Sequence, residues 1–106
     1  MAGRARRIVW TLSARSDLDE ILAFIAEDSP EAASGVLDVV LGTADSLTHL
    51  ADRGRAVPEL HDPAIREVFV YSYRLMYQVR EDDVRILALL HGARDFGAWH
   101  KDRTSE

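Results

Sequence analysis

The sequence predicts a single α+β domain in which two helices pack on one face of a four-stranded, mainly antiparallel sheet. Three observations lead to this class. Residues 14–51 repeat apolar side chains every three or four positions, as amphipathic helices do. Residues 65–91 hold three apolar or alternating segments with short links, which is typical of antiparallel strands. The apolar segment 6–12 adds a fourth strand.

Length and composition fit one globular domain. The chain has 106 residues, of which 47% are hydrophobic and 29% charged. We expect one domain over 1–106, with its core at about 6–97 and flexible ends at 1–5 and 101–106. There is no cysteine, and no apolar run, "ILALL" in the last strand included, is nearly long enough to cross a membrane. The predicted location is the cytoplasm.

The charge is unevenly distributed along the chain. The net charge is -5, and residues 14–52 carry nine acids against Arg15 alone. Residues 53–94 are nearly balanced, with seven arginines against six acids. A protein that binds nucleic acid through phosphate contacts usually has a basic surplus, which is missing here. We therefore predict no direct nucleic-acid binding by this chain.

The first strand and helix follow from a change of periodicity. Ile8, Trp10 and Leu12 alternate with polar or opposite-facing positions and predict an extended segment. Ser13 can cap a helix from its amino end. From there the apolar residues share one helical stripe: Ala14, Leu18, Ile21, Leu22 and Ile25.

The second helix begins at "SPEAA". Ser29 can cap it, and Pro30 suits its first position. Gly35 and Gly42 fall opposite its apolar stripe, on a wet face or where a partner backbone approaches, and Gly54 suits a left-handed helix end. The stripe consists of Ala33, Val36, Leu37, Val40, Ala44, Leu47 and Ala51.

After a proline-containing loop, three strands are predicted: about Ile65 to Val70, Tyr73 to Arg80 and Val84 to His91. The last strand is apolar on both faces apart from Arg85, which indicates a central position in the sheet. The middle strand places apolar residues on one face and polar ones on the other. We expect that second face to be partly open.

The end of the last strand brings chemically active residues together. His91 and Gly92 are followed by Arg94 and Asp95, for which we predict a glycine turn and an ion pair that holds a short C-terminal tail or helix. Two aromatic residues on that segment would cover the core or dock a partner. The candidate partner-binding residues are Arg53, Arg55, Arg66, Arg74, Met76, Gln78, Arg94 and Trp99.

The motifs resemble those of a known family. The segments "GRAVPEL", "IREVFVYSYRLMYQV" and "VRILALLHGARDF", with the helical start "ARSDLDEILAFIAEDSPEAA", are similar to the ParE branch of the ParE/RelE toxin superfamily. The resemblance spans roughly residues 7–96 and implies a RelE-like β-α-α-β-β-β fold. It implies a toxin of a type II toxin-antitoxin system that forms a hetero-oligomer with a ParD-like antitoxin and needs no cofactor.

The resemblance leaves three functions open. ParE members typically poison DNA gyrase by binding it, whereas RelE members cut messenger RNA on the ribosome. A nuclease would need a proton-transfer group and cations, for which His91, Arg74 and Arg94 are the candidates. No tyrosine follows Tyr77, which favours the non-enzymatic gyrase inhibitor. The third possibility is an inactive toxin that only binds antitoxin. The four histidines have no metal-ligand spacing, so no metal site is predicted.

Overall fold

A computed structural model describes residues 5–104, except for the side chains of 92–94 and 102–104. The predicted α+β class is confirmed, with β1, two helices, four further strands and a third helix in that order. None of the helices in the described range is long and apolar enough to cross a membrane. The elements are β1 Arg7–Trp10, α1 Leu12–Asp28, α2 Pro30–Ser46, β2 Arg55–Ala56, β3 Ile65–Val70, β4 Tyr73–Val79, β5 Asp83–His91 and α3 Gly92–Thr104.

The sheet has five strands rather than the predicted four, in the order β1-β5-β4-β3-β2. The additional strand β2 is two residues long, and its Arg55 pairs with Glu67 of β3. A strand this short shows no alternation in the sequence, so it was predicted as loop. The central position of β5, between β1 and β4, is confirmed. β1 runs parallel to β5, whereas the other neighbours are antiparallel.

Helix α1 starts two residues earlier than the predicted cap at Ser13 would allow. Its N-cap is Thr11, whose hydroxyl accepts a hydrogen bond from the Ala14 amide at 3.1 Å. The same hydroxyl donates to the Ile86 carbonyl at 3.0 Å, so it ties the helix start to β5. Leu12, predicted as strand, is the first helical residue. At α2 the predicted start is confirmed, because Ser29 is the N-cap and Pro30 follows it.

Helix α2 ends at Ser46, and Gly54 therefore does not terminate it. Gly54 instead lies where the chain passes very close to β3 and β4. A Cβ at this position would lie within 2.5 Å of the Glu67 carbonyl oxygen and would collide with the Tyr77 hydroxyl. Glycine is required here because only a hydrogen atom fits, not because the backbone is left-handed.

The main core lies between the helical hairpin and the sheet. Val40, Ala44 and Leu47 of the α2 segment are completely buried with the inward residues of the strands, among them Leu75 and Tyr77. This is the packing that the helical stripes and the alternation of β4 predicted. Removal of this apolar surface from water is the main stabilising contribution to such a fold.

The opposite face of the sheet is covered, although it was predicted to be partly open. Met76 is 0% exposed and Arg74 is 6% exposed. The loop between β2 and β3, residues 57–64, lies across part of this face, and we refer to it as the covering loop. Helix α3 lies across another part. Apolar residues of the covering loop and α3 build a second core with the strands: Val57, Ile65, Met76, Ala88, Leu90 and Phe96.

Of the two predicted forms of the C-terminal segment, tail or helix, the structure has the helix, α3, which begins immediately after β5. Gly92 is its first residue rather than part of a glycine turn. The Asp95 carboxylate accepts a hydrogen bond from the His91 amide at 3.1 Å, which satisfies a donor at the helix start. The predicted Arg94–Asp95 ion pair lies outside the described side chains. Residues 101–104, predicted as flexible, continue the helix, and 1–4 and 105–106 are outside the described residues.

Candidate functional site

A ladder of four alternating charges crosses the second face of the sheet. Arg55 donates from Nε to Glu67 Oε2 at 2.7 Å, and Arg74 donates from Nε to Glu67 Oε1 at 2.5 Å. The far side of the Arg74 guanidinium holds Glu59 in a bidentate pair, with distances of 3.0 and 2.8 Å. We refer to Arg55, Glu67, Arg74 and Glu59 as the ion ladder.

The inner members of the ion ladder are removed from solvent. The Glu67 side chain is 0% exposed, and both its oxygens accept hydrogen bonds from arginine. Hydrogen bonding to Arg74 holds the pKa of Glu59 below its ordinary value of 4.5, and the bond to Glu59 raises the pKa of Arg74. A buried carboxylate needs such pairing, because an unpaired buried charge is strongly unfavourable. The Arg74 guanidinium is therefore occupied by ion pairs that stabilise the fold.

Arg74 also contacts helix α3. Its guanidinium carbon lies 4.9 Å from the centroid of the Phe96 ring, within the range of a cation–π contact. Arg55 has a similar contact with Phe69 at 5.2 Å. Arg74 thus joins three parts of the chain: β3 through Glu67, the covering loop through Glu59, and α3 through Phe96.

Two other predicted binding residues support the segment that follows α2. The Arg66 guanidinium donates to the Gly54 carbonyl at 2.6 Å, and Arg53 donates to the Ser46 hydroxyl at 2.8 Å. Buried Tyr77 completes this support, since its hydroxyl donates to the Ala51 carbonyl at 2.8 Å and accepts from the Gly54 amide at 2.9 Å. Burial raises the pKa of Tyr77, which keeps the hydroxyl protonated as a donor.

The structure does not bring the candidate nuclease residues together. His91 pairs with Tyr73 across β4 and β5, and their rings are 5.1 Å apart. Tyr73 packs on the core beneath the helices, whereas Arg74, the next residue along β4, faces the second core. His91 and Arg74 are consequently on opposite faces of the sheet. The side chain of Arg94, the third candidate, lies outside the described part.

A cleft of about 300 Å³ lies between α1, the end of β5 and α3. Asp17, Glu20 and Asp95 line it together with Trp99. Asp17 accepts a hydrogen bond from the Leu89 amide at 3.1 Å, and burial raises its pKa. Despite these acids, the described residues contain no group of three or more histidine, cysteine or acidic side chains that could hold a metal ion.

Arg55 and Arg74 were predicted as binding residues from the sequence, but their acidic partners Glu59 and Glu67 were not. Glu59 lies in the covering loop, and nothing local to that loop indicates where its side chain points. Glu67 could have been found, because it alternates with Ile65 and Phe69 and thus shares their face of β3. A charged residue at an inward strand position requires a partner of opposite charge.

Comparison with known proteins identifies the family. Residues 8–96 match the family model described as the ParE toxin of the type II toxin-antitoxin system, parDE. This chain belongs to the ParE toxin family. The match covers β1 from its second residue, the other four strands, both helices of the hairpin and the start of α3.

Two named relatives and one solved structure are similar to this ParE toxin. It is 32% identical to "Putative toxin Y4kP" of Sinorhizobium fredii over 89 residues, which are 81% of this chain and 88% of the relative. It is 25% identical to Toxin RelE1 of Caulobacter vibrioides over 89 residues, 80% of this chain and 91% of that protein. A chain from the chromosomal ParDE system of P. aeruginosa has the same fold, with a TM-score of 0.68 and 21% identity, covering 84% of this chain and 98% of that one.

Proposed function

We propose that this ParE toxin binds and inhibits DNA gyrase without catalysing a reaction, and that a ParD-like antitoxin encoded with it neutralises it in the cytoplasm. The family match supports the toxin-antitoxin part of the proposal. The choice of a binding mechanism rests on the separation of His91 from Arg74 by the sheet.

The separation matters because RNA cleavage needs several groups around one phosphate. A base or acid must reach the reacting oxygens at hydrogen-bond distance, and cations must stabilise the developing charge at the same point. Arg74 is already bonded to Glu59 and Glu67, so it is not available to a phosphate. His91 has Tyr73 beside its ring and no described cation as a hydrogen-bond partner.

Burial changes which of the predicted binding residues can contact a partner. Arg74 and Met76 cannot do so while α3 and the covering loop are in place. Arg53 and Arg55 remain exposed. Gln78 and Trp99 are half-buried and offer part of their surface. We retain these four residues and half-buried Arg66 as candidates for partner contact, and Arg94, whose side chain lies outside the described part, stays a prediction.

A supercoiling assay with purified gyrase tests the proposal. We expect the purified toxin to inhibit supercoiling and to trap a covalent cleavage complex, and we expect His91→Ala to do so equally well. Addition of the antitoxin should restore supercoiling. Normal supercoiling at a large excess of toxin would reject gyrase as the target.

RNA cleavage is the alternative function, and the relationship to Toxin RelE1 and the exposed His91 support it. Brief induction of the toxin followed by primer extension on translated messages separates the two mechanisms. Discrete cuts that disappear in His91→Ala would indicate a nuclease. If neither gyrase inhibition nor RNA cleavage occurs while antitoxin binding is retained, the chain is an inactive toxin.

A further inference from the structure

The outer face of helix α2 combines acidic residues with glycine. It points away from the buried stripe, and every residue on it is exposed. The acids recur every seven residues, which is nearly two helical turns, or about 10.5 Å along the axis. The outer face of α2 consists of Glu31, Gly35, Asp38, Leu41, Gly42 and Asp45.

The two glycines have no function within the described chain. A Cβ at Gly35 or Gly42 would meet nothing within 4 Å, and neither position has the positive φ that favours glycine. Each mid-helix glycine costs about 1 kcal/mol relative to alanine. Gly54 shows the contrast, because there the neighbouring strands exclude a side chain. Packing inside the described chain therefore does not require glycine at these two positions, and their open surface is accessible to a partner.

The acids on this face have no basic partner among the described residues, although the dipole of α2 favours Glu31 in its first turn. Among the described residues, Glu31, Asp38 and Asp45 take part in no ion pair. Arg15 is the one basic residue between positions 14 and 52. A row of like charges on one helix attracts a surface of opposite charge.

An apolar groove adjoins the acidic row. Leu41 is 40% exposed and lines a groove of about 450 Å³ with Trp10 and Leu37. Arg15 and Asp19 form part of its rim. A partner that lies along α2 can therefore place basic side chains on the acids and an apolar side chain in the groove.

We infer that the outer face of α2 binds a positively charged amphipathic helix of the target enzyme, packed closely over Gly35 and Gly42. This inference rests on the proposed function. An enzyme that acts on DNA presents basic surfaces to phosphates, and the acidic row is complementary to such a surface. Glycine removes side-chain bulk, which lets the backbone of a second helix approach.

Added bulk tests the close approach. The double variant Gly35→Gln, Gly42→Gln places two long side chains on the face, and glutamine favours helix more than glycine does. We expect the melting temperature to rise or stay unchanged. The toxin concentration for half-inhibition of supercoiling should rise about tenfold or more, the equivalent of about 1.4 kcal/mol of binding. Ala23→Gln, on the exposed side of α1, is the control and should inhibit like wild type.

Removal of charge tests the electrostatic part. Asp38→Asn with Asp45→Asn should weaken gyrase inhibition and reduce its dependence on salt. Glu27→Gln with Asp28→Asn removes the same net charge from the neighbouring helix and should have a smaller effect. Because both pairs change long-range attraction equally, the difference between them reports contact at the α2 face.

The outcomes separate the inference from the proposed function. If wild type does not inhibit gyrase, both are rejected. If wild type inhibits and the glutamine and asparagine variants inhibit equally well, only the inference is rejected. If these variants lose antitoxin binding but keep full inhibition of gyrase, the face belongs to the antitoxin and the inference is again overturned.

Discussion

Replacement of Arg74 by methionine tests whether the ion ladder stabilises the fold. Methionine keeps much of the apolar stem but leaves Glu67, with a side chain that is 0% exposed, bonded to Arg55 alone. Removal of one partner from a buried ion pair costs about 3–5 kcal/mol. Arg55 still neutralises Glu67, and Glu59, with 38% of its side chain exposed, can turn to solvent. We therefore expect a loss of about 3 kcal/mol, at the lower end of this range.

Urea unfolding followed by tryptophan fluorescence measures this loss. With a slope of about 2 kcal/mol per molar urea, the midpoint should fall by about 1.5 M. Arg55→Met, at a side chain that is 57% exposed, should cost about 1 kcal/mol or less. Adding Glu67→Met to Arg74→Met removes the buried charge and should restore most of the stability. A loss below about 1 kcal/mol for Arg74→Met would refute the assigned importance of the ladder.

Three further changes test the supporting contacts. Tyr77→Phe leaves the Ala51 carbonyl and the Gly54 amide without their partner and should cost about 1–3 kcal/mol by urea unfolding. Gly54→Ala forces a methyl group onto the Glu67 backbone and should cost at least about 3 kcal/mol, whereas Gly97→Ala, in open space, should stabilise. Because the folded-state pKa of Glu59 is lowered, its pairing stabilises above its ordinary value of 4.5 and is lost as pH falls through the folded-state value. Between pH 6 and 3, the free energy of unfolding should therefore fall less for Glu59→Gln than for wild type. An equal fall in both proteins would contradict the pairing.

The local sequence pattern was sufficient where residues close together in the chain decide the structure. The bounds of β3, Ile65–Val70, and the cap at Ser29 were predicted as they occur. The central position of β5 followed from its nearly continuous apolar sequence, with Arg85 as the exception, and both of its faces are covered. In each case the residues that decide the structure are neighbours in sequence.

Prediction failed where distant segments decide the outcome. Arg74 alternates with the apolar residues of β4, and this pattern predicts that its side chain lies on the solvated face of the sheet. Its burial depends on Glu59, fifteen positions earlier, and on Phe96, which lies in another element. The sequence left open whether the chain ends in a short tail or a helix, because the mean hydropathy of residues 92–104 is low and the segment contains glycine, as loops do. Packing on the second face of the sheet overrides that weak propensity.

Coverage of both faces of the sheet restricts how this toxin can meet other proteins. The helical hairpin occupies one face, and α3 with the β2–β3 loop occupies the other. A partner that contacted Met76 or Arg74 would first have to displace Phe96 and Glu59 from Arg74. The contacts of Arg74 with these two residues would then be lost. Binding to surfaces that are already exposed requires no such rearrangement. The outer face of α2 is one of these surfaces, and its glycines give the partner close access at a cost in stability that the isolated chain does not need to bear.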